Sequence, residues 1–329
     1  LAFAVHPAQV EAVAYISGRA DILVTLFLLT AMMCYVRFRN EEIKVKKIFL
    51  YLGVLVSFAL ALGSKEIGLV GIFLFVWYDL IFSWQRKKQC PNEEKKCLFC
   101  PVYLKWYLPL IAITAGYVVM RMHLHPQTGI SSLFGPLLRS ALAGYTLLEY
   151  FKILLFPMHL HMERVVPVIS SGYPVLFWTI PLVVFAGICL FFLVFRKNRV
   201  LLFWMGWFML GIFPVLNIIV PVNASLAEHW LYLPSAGFFA CIAAFVTGNV
   251  KQSTESRVQK PETGKRLFLA IFFIWVGMLA LVTFRQVGYW KDPAQFYQLT
   301  QKYNPASSRI ATNMASSYLG KYKDYTRAI

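Results

Sequence analysis

The sequence predicts an all-α polytopic membrane protein: a helical bundle of about eight spans, one further helix in the outer interface, and a helical tail of different character. Three observations predict it. Hydrophobic residues make up 59% of the 329 residues and charged ones only 14%, with a mean hydropathy of +0.61, whereas a soluble domain carries about 25% charged residues. Apolar runs close to the ~20 residues that a helix needs to cross a bilayer recur along the chain. The 32 Lys and Arg, against 15 Asp and Glu, gather between those runs, a pattern that membrane topology explains better than nucleic-acid binding does.

The runs lie at approximately 22–38, 47–63, 67–84, 104–122, 174–195, 200–220, 230–249 and 267–285. Basic clusters at 37–47, 86–105, 196–199 and 251–266 fall between alternate spans, so all four belong to one side, which the positive-inside bias makes cytoplasmic. The stretch 137–157 is apolar enough to suggest a ninth span, but Arg139, Glu149 and Lys152 would each cost a few kcal/mol at mid-bilayer. It is read as an amphipathic helix in the outer interface. With that parity, all six histidines (His6, His123, His125, His159, His161, His229) and the acids Glu11, Asp21, Glu66, Glu149, Glu163 and Glu228 sort to the outer face. Any chemistry is expected there.

Leu1 to Val5 reads like the tail of an apolar helix that begins earlier. In the first outer segment, 6–23, Pro7 suits a first helical turn, and Glu11, Tyr15 and Arg19 recur every four residues, as on one face of a short helix. Asp21 stands just before an apolar run, where a carboxylate can cap the next helix; the plain alternatives to catalysis are a cap for Asp21 and an ion pair for Glu11 with Arg19. In GSKEIG, 63–68, Gly63 closes one helix and Ser64 caps the next, leaving Lys65 and Glu66 at headgroup level, either paired with each other or with the Lys on an anionic headgroup. The third and fourth outer segments place Glu163 beside Arg164 and Glu228 beside His229 at span mouths. Aromatic belts account for Trp230 and Tyr232, and Pro234 is expected to kink or loosen its helix.

Three of the six cysteines (Cys34, Cys189, Cys241) lie inside apolar runs, so there is no disulfide framework. Cys90, Cys97 and Cys100 share a cytoplasmic loop with no fourth ligand on that side. They are read as free thiols, with palmitoylation or a shared metal as minor alternatives, and no metal ligands are assigned. After the last span the chain turns polar and Tyr-rich. Asn304-Pro305 is read as a helix start, and Met314, Ala315, Tyr318, Asp324-Tyr325 and Ala328-Ile329 resemble the first tetratricopeptide repeat (TPR) of an array. Residues 1–285 thus form an N-terminally truncated membrane domain, and 286–329 an outer linker helix and first TPR-like repeat.

HPAQVEAVAYISGRAD (6–21), SKEIGLVGIFLFVWYDL (64–80), YTLLEYFKILLFP (145–157), AEHWLYLPSAGF (227–238) and WKD (290–292) occur in this order. Together they resemble the membrane part of the transmembrane and TPR-containing protein O-mannosyltransferases, the TMTC family, and their prokaryotic relatives. Where that family usually has Glu-Arg before the LYxPS element, this chain has Glu228-His229, which makes the basic group's charge pH-dependent. The resemblance implies a GT-C-type, inverting membrane glycosyltransferase. Such an enzyme moves a sugar, mannose in that family, from a polyprenyl- or dolichyl-phosphate donor to a Ser or Thr hydroxyl on the non-cytoplasmic face. The donor lipid and a protein acceptor, held by the TPR array, are the implied partners. The implied location is the bacterial inner membrane, or alternatively the endoplasmic reticulum membrane, with the TPR side periplasmic or lumenal.

A lipid phosphate needs cations, and an attacking hydroxyl needs a carboxylate to take its proton. Glu11, Asp21, Glu66 and Glu228 are therefore the catalytic candidates, and His6, Arg19, Lys65, Arg164 and His229 the donor-binding ones; Arg19, Lys65, Arg164 and His229 are expected to converge within one outer-facing cavity. In such enzymes the leading acidic motif is expected in a first outer loop, which here would precede Leu1. The competing readings are a non-catalytic membrane-anchored TPR scaffold and, ranked last, a polyprenyl-linked sugar transporter or polymerase, which would spread polar residues through the spans.

Overall fold

The computed structural model describes residues 1–82, 101–124, 135–158, 160–162, 164, 175–218, 226–255, 262–305 and 307–322. Among these residues the structure is helical; the only extended pairing is an isolated antiparallel bridge between Arg164 and Leu226. Among the described residues five helices are long and apolar enough to cross a membrane, so the chain is a multi-pass membrane protein.

Two short helices open the chain, α1 (Ala2–Val5) and α2 (Gln9–Ala14). They lead through a 3-10 turn, Ile16–Gly18, into α3 (Arg19–Asn40). At 1.5 Å per residue α3 is about 33 Å long, enough to span. Its buried positions, including Val24, Leu28, Met32, Tyr35 and Phe38, recur at helical spacing and form one core-facing stripe. Leu23, Leu26 and Met33 on the other side are exposed, as lipid-facing residues should be. α4 (Lys44–Ser64) returns antiparallel, with Tyr51, Val54, Phe58 and Ala61 packed inward.

Lys65 and a 3-10 turn, Glu66–Leu69, reverse the chain into α5 (Val70–Phe82). Glycine is required in both outer turns. A Cβ on Gly18 would lie 2.9 Å from Ala12 Cα, and one on Gly68 would lie 2.8 Å from the Ala61 carbonyl carbon. Each turn therefore folds tightly onto the helix before it.

The remaining helices are α6 (Pro101–Leu124), α7 (Pro136–Leu155), α8 (Val175–Val194), α9 (Arg199–Ile212), α10 (Tyr232–Glu255), α11 (Glu262–Tyr289), α12 (Pro293–Tyr303) and α13 (Ser308–Ser317). The α3–α4, α7–α8, α9–α10 and α12–α13 neighbours pack as pairs. α7 buries Ala143, Leu147, Tyr150 and Leu154 along one face, while Glu149 and Lys152 pair with each other outside it. It is not among the helices apolar enough to cross.

Several local expectations need correction. Of the eight runs, those at 67–84 and 200–220 are broken: the first by the Glu66–Leu69 turn, the second by Pro214, which ends α9 in a 3-10 turn, Phe213–Val215. Asn304-Pro305 does not start a helix; Ser307 caps α13 by accepting the Ile310 N–H at 3.3 Å. Pro234 falls in the first turn of α10, where its missing N–H interrupts no helical hydrogen bond. The loop carrying Cys90, Cys97 and Cys100 lies outside the described residues, as do His125, His159, Glu163 and the tail from 323.

Candidate functional site

Three ion pairs lie at one end of the bundle, where α3 and α10 begin and α4 ends. Each joins a deeply buried carboxylate to a basic side chain from a distant segment. Glu11, Asp21 and Glu228 are all 2% exposed. Asp21, in the first turn of α3, takes the Lys65 ammonium on both oxygens at 2.8 and 2.7 Å. Glu11, in α2, accepts the His229 backbone N–H at 3.1 Å on one oxygen and the His229 Nδ1–H at 2.8 Å on the other. Glu228 accepts from Arg164 Nε and Nη2 at 3.3 and 3.2 Å, and from the His161 backbone N–H at 2.9 Å.

The pairs form one cluster. Glu11 is close enough to both Asp21 and Glu228 for their charges to interact, and His229 also acts on Asp21. Burying an unpaired carboxylate costs several kcal/mol, so three side by side persist only with such partners.

The segments are tied together beneath the cluster. Gln9 Nε2 donates to Ser235 Oγ at 2.9 Å, joining α2 to α10, and the Tyr150 hydroxyl donates to the Ala227 carbonyl at 3.4 Å. Tyr15 lies between the His229 ring, 6.4 Å away, and the Trp290 ring, 6.2 Å away. Trp290 in turn packs on Phe296 of α12 at 4.2 Å, and His161 stacks on Tyr303 at 4.5 Å. α12 is thereby held against the acidic end. Gln9 Oε1 and Trp290 Nε1–H are buried near the cluster and have no hydrogen-bond partner among the described residues.

The structure thus brings together six of the nine expected site residues: Glu11, Asp21, Glu228, Lys65, Arg164 and His229. Three stand apart. Arg19 is exposed; Glu11, Tyr15 and Arg19 do not share a helical face, because α2 stops at Ala14 and Tyr15 is extended. Glu66 pairs with Arg121 at 3.5 Å in a half-exposed bridge rather than with Lys65. His6 is fully buried; its Nδ1 accepts the Ala8 N–H at 3.2 Å and its Nε2–H donates to the Leu154 carbonyl at 3.1 Å. Burial pushes its pKa down to about 4, so it is neutral at ordinary pH and has both nitrogens engaged.

Two local readings are also corrected. Asp21 is no cap: Gly18 occupies the cap position of α3 with no side-chain bond, and the Asp21 carboxylate turns instead to Lys65. Ser64 does not cap the following turn; it ends α4, its hydroxyl donating to the Leu60 carbonyl at 2.8 Å.

Tyr15, Trp290 and the His161 backbone are not among the expected site residues, although Tyr15 shares the spacing of Glu11 and Arg19 and Trp290 belongs to the WKD motif. A further buried network at the opposite end was also missed. There Arg39 bonds Asp79, which accepts the Tyr35 and Tyr107 hydroxyls at 2.8 and 2.9 Å, locking α3, α5 and α6 together. The signal for it was Asp79, an acid inside the apolar run of α5. Among the described residues, no three His, Cys, Asp or Glu are grouped so as to hold a metal ion.

Comparison with known proteins adds to this geometry. Residues 15–123 match the family model described as dolichyl-phosphate-mannose-protein mannosyltransferase. The chain is 28% identical over 331 residues to the protein O-mannosyl-transferase F38B6.6 of Caenorhabditis elegans, covering 95% of this chain and 41% of that protein. It is 25% identical to the protein O-mannosyl-transferase TMTC4 of Mus musculus and of Homo sapiens, covering 96% and 98% of this chain and 46% of each relative. The chain therefore spans less than half the length of these relatives. No solved structure matches.

Proposed function

We propose that this chain, which those matches support as a member of the protein O-mannosyl-transferase family, is membrane machinery of a glycosyltransferase that uses a polyprenyl-phosphate sugar. It passes the sugar, mannose by the family's name, to a Ser or Thr hydroxyl on the non-cytoplasmic face. The observation that carries this reading is the cluster of three buried carboxylates, each held by a basic side chain from another segment, at one end of the helical bundle.

In the transfer, the acceptor oxygen forms a bond to the anomeric carbon as the bond from that carbon to the phosphate oxygen breaks. The lipid phosphate leaves with the electron pair, and the hydroxyl proton passes to a base. Lys65 spends two of its three N–H donors on Asp21, leaving one for a phosphate. Arg164 is a second cation at the same mouth, and the buried Trp290 indole N–H is a further donor.

Glu11 and His229 form a dyad. By accepting the Nδ1–H the carboxylate fixes the orientation of the ring and leaves Nε2 directed away from Glu11. Either the Glu11–His229 dyad or Glu228 is placed to take the acceptor proton, and Asp21 orients Lys65. Glu66 and Arg19 stand at the rim, and His6 braces the fold.

The wider arrangement follows from the same reading. The positive-inside bias assigns the basic clusters to the cytoplasm and the carboxylate cluster to the periplasmic or lumenal face, where the donor's headgroup sits. α12 and α13 begin a TPR array that presents the acceptor protein; the Trp290 and Tyr303 contacts that hold α12 at the mouth support this.

The experiment is transfer of labelled mannose from polyprenyl-phosphate-mannose to Ser/Thr peptides by the purified protein. Glu11→Gln and Glu228→Gln keep the volume and remove the charge. If a base is lost, turnover falls by about a hundredfold or more in protein that still melts cooperatively, with the midpoint lowered by the broken pair. Full activity in both variants would rule out this cluster as the source of the base.

A further inference from the structure

Away from the acidic mouth, at the opposite end of the α3–α4 hairpin, lies a cleft of about 620 Å³. Its floor is apolar, formed by Cys34, Phe49 and Leu50, and its rim carries Arg37, Asn40 and Lys46. We propose that this cleft binds an anionic phospholipid of the leaflet at that end, with the phosphate between Arg37 and Lys46 and the acyl chains along Phe49 and Leu50.

The cleft's polarity follows that of a phospholipid. α3 ends at Asn40 and α4 begins at Lys44, so the lining changes from apolar to basic where both spans leave the hydrocarbon. Phe49 is 69% exposed on this surface. One turn further along α4, Gly53 lies so close to α3 that a Cβ there would be 3.1 Å from Cys34 Sγ. The two helices therefore close together and shut the cleft on its apolar side.

The charge is complementary to an anion. Among the described residues, neither Arg37 nor Lys46 forms an ion pair, whereas their neighbour Arg39 is taken by Asp79. The one acid in the lining, Glu41, turns its carboxylate onto the backbone N–H groups of Glu42 and Ile43, at 3.2 and 3.1 Å. Lys47 is also occupied, donating to the Glu41 carbonyl and lying over the Phe38 ring. Two uncommitted cations above an apolar floor fit an anionic headgroup attached to a hydrocarbon tail. Basic pockets between spans recognise anionic lipids in this way. A free phosphate would use the rim and leave the floor bare.

The test is native mass spectrometry of the full chain in detergent, offered phosphatidylglycerol or phosphatidylcholine with identical acyl chains. The wild type should retain one phosphatidylglycerol under conditions that strip phosphatidylcholine. Arg37→Gln with Lys46→Gln should weaken that retention about twenty-five-fold, near fivefold for each basic charge. Phe49→Ser should weaken it too, and water-soluble glycerol phosphate should not displace the lipid. Arg196→Gln with Lys197→Gln, at exposed cations outside the cleft, should leave retention unchanged. Melting midpoints establish that each variant is folded, and Lys46→Gln alone replaces the double variant if that fails. Equal retention of the two lipids, equal loss in the Arg196/Lys197 control, or displacement by glycerol phosphate would each overturn the proposal.

Discussion

Replacing Lys65 by Met removes the only hydrogen-bond partner that the Asp21 carboxylate has among the described residues, while preserving most of the stem's packing. The pair is mostly dry: the Asp21 side chain is 3% exposed and that of Lys65 19%, with the ammonium within 2.8 Å of both oxygens. Breaking a buried pair by removing one partner costs about 3–5 kcal/mol, because the remaining charge is stranded. At about 2 °C per kcal/mol for a large chain, Lys65→Met should lower the melting midpoint in detergent by about 6–10 °C. Adding Asp21→Asn removes the stranded charge, so the double variant should recover most of that loss. Activity should behave differently: the double variant, though stable, still lacks the cation and stays inactive in mannose transfer. Melting curves and transfer assays on the two single variants and the double separate these effects. A midpoint within about 1 °C of wild type for Lys65→Met would refute the claim that the pair is dry. Restored activity in the double variant would refute a role for Lys65 in binding the donor.

Other outcomes follow from the same geometry. His6 is neutral in the fold with a pKa near 4, against 6.5 when unfolded. The unfolded chain therefore binds the extra proton between those values. Stability should fall by about 3 kcal/mol as pH drops from 6.5 to 4 and then level off, and His6→Gln should flatten that part of the pH–stability curve. Gly68→Ala should cost about 1–3 kcal/mol by pushing a methyl against the Ala61 backbone, measured by thermal melting, and should lower transfer because Lys65 sits in the same turn. Trp290→Ala should loosen α12 from the acidic mouth, seen as faster hydrogen exchange over 293–303, while Trp290→Phe keeps most of the packing on Phe296 and Tyr15. Cysteine introduced at Ser308 should label from outside without permeabilisation, since α13 follows the helix end that carries Trp290.

Which end of the bundle each residue occupies was legible in the sequence, because long apolar runs and one-sided Lys and Arg are strong signals. That parity put Glu11, Asp21, Lys65, Arg164, Glu228 and His229 at one end, and the structure joins all six. Their partners were not legible. Glu228 and His229 are adjacent in sequence, yet one pairs with Arg164 and the other with Glu11, 218 positions away. Local spacing says nothing about a contact made when separate helices pack.

The misread segments share a cause. Four-residue spacing of Glu11, Tyr15 and Arg19 suggested one face, but Gly18 lets the chain fold back on Ala12 and breaks the helix. The sequence position of Asp21 suited a cap, until Lys65 offered a stronger partner. At the basic end, Arg39 looked like one more loop cation; it is the buried counter-ion of Asp79.

The most direct test of the central claim, that the three-pair cluster receives the lipid-linked sugar, is photocrosslinking with a polyprenyl-phosphate-mannose carrying its reactive group beside the phosphate. Peptide mapping should place the adduct in segments bearing Lys65, Arg164 or His229, and Lys65→Met should abolish it in protein that is still folded. An adduct confined to the Arg37–Lys46 end, or one unchanged in Lys65→Met, would contradict the account.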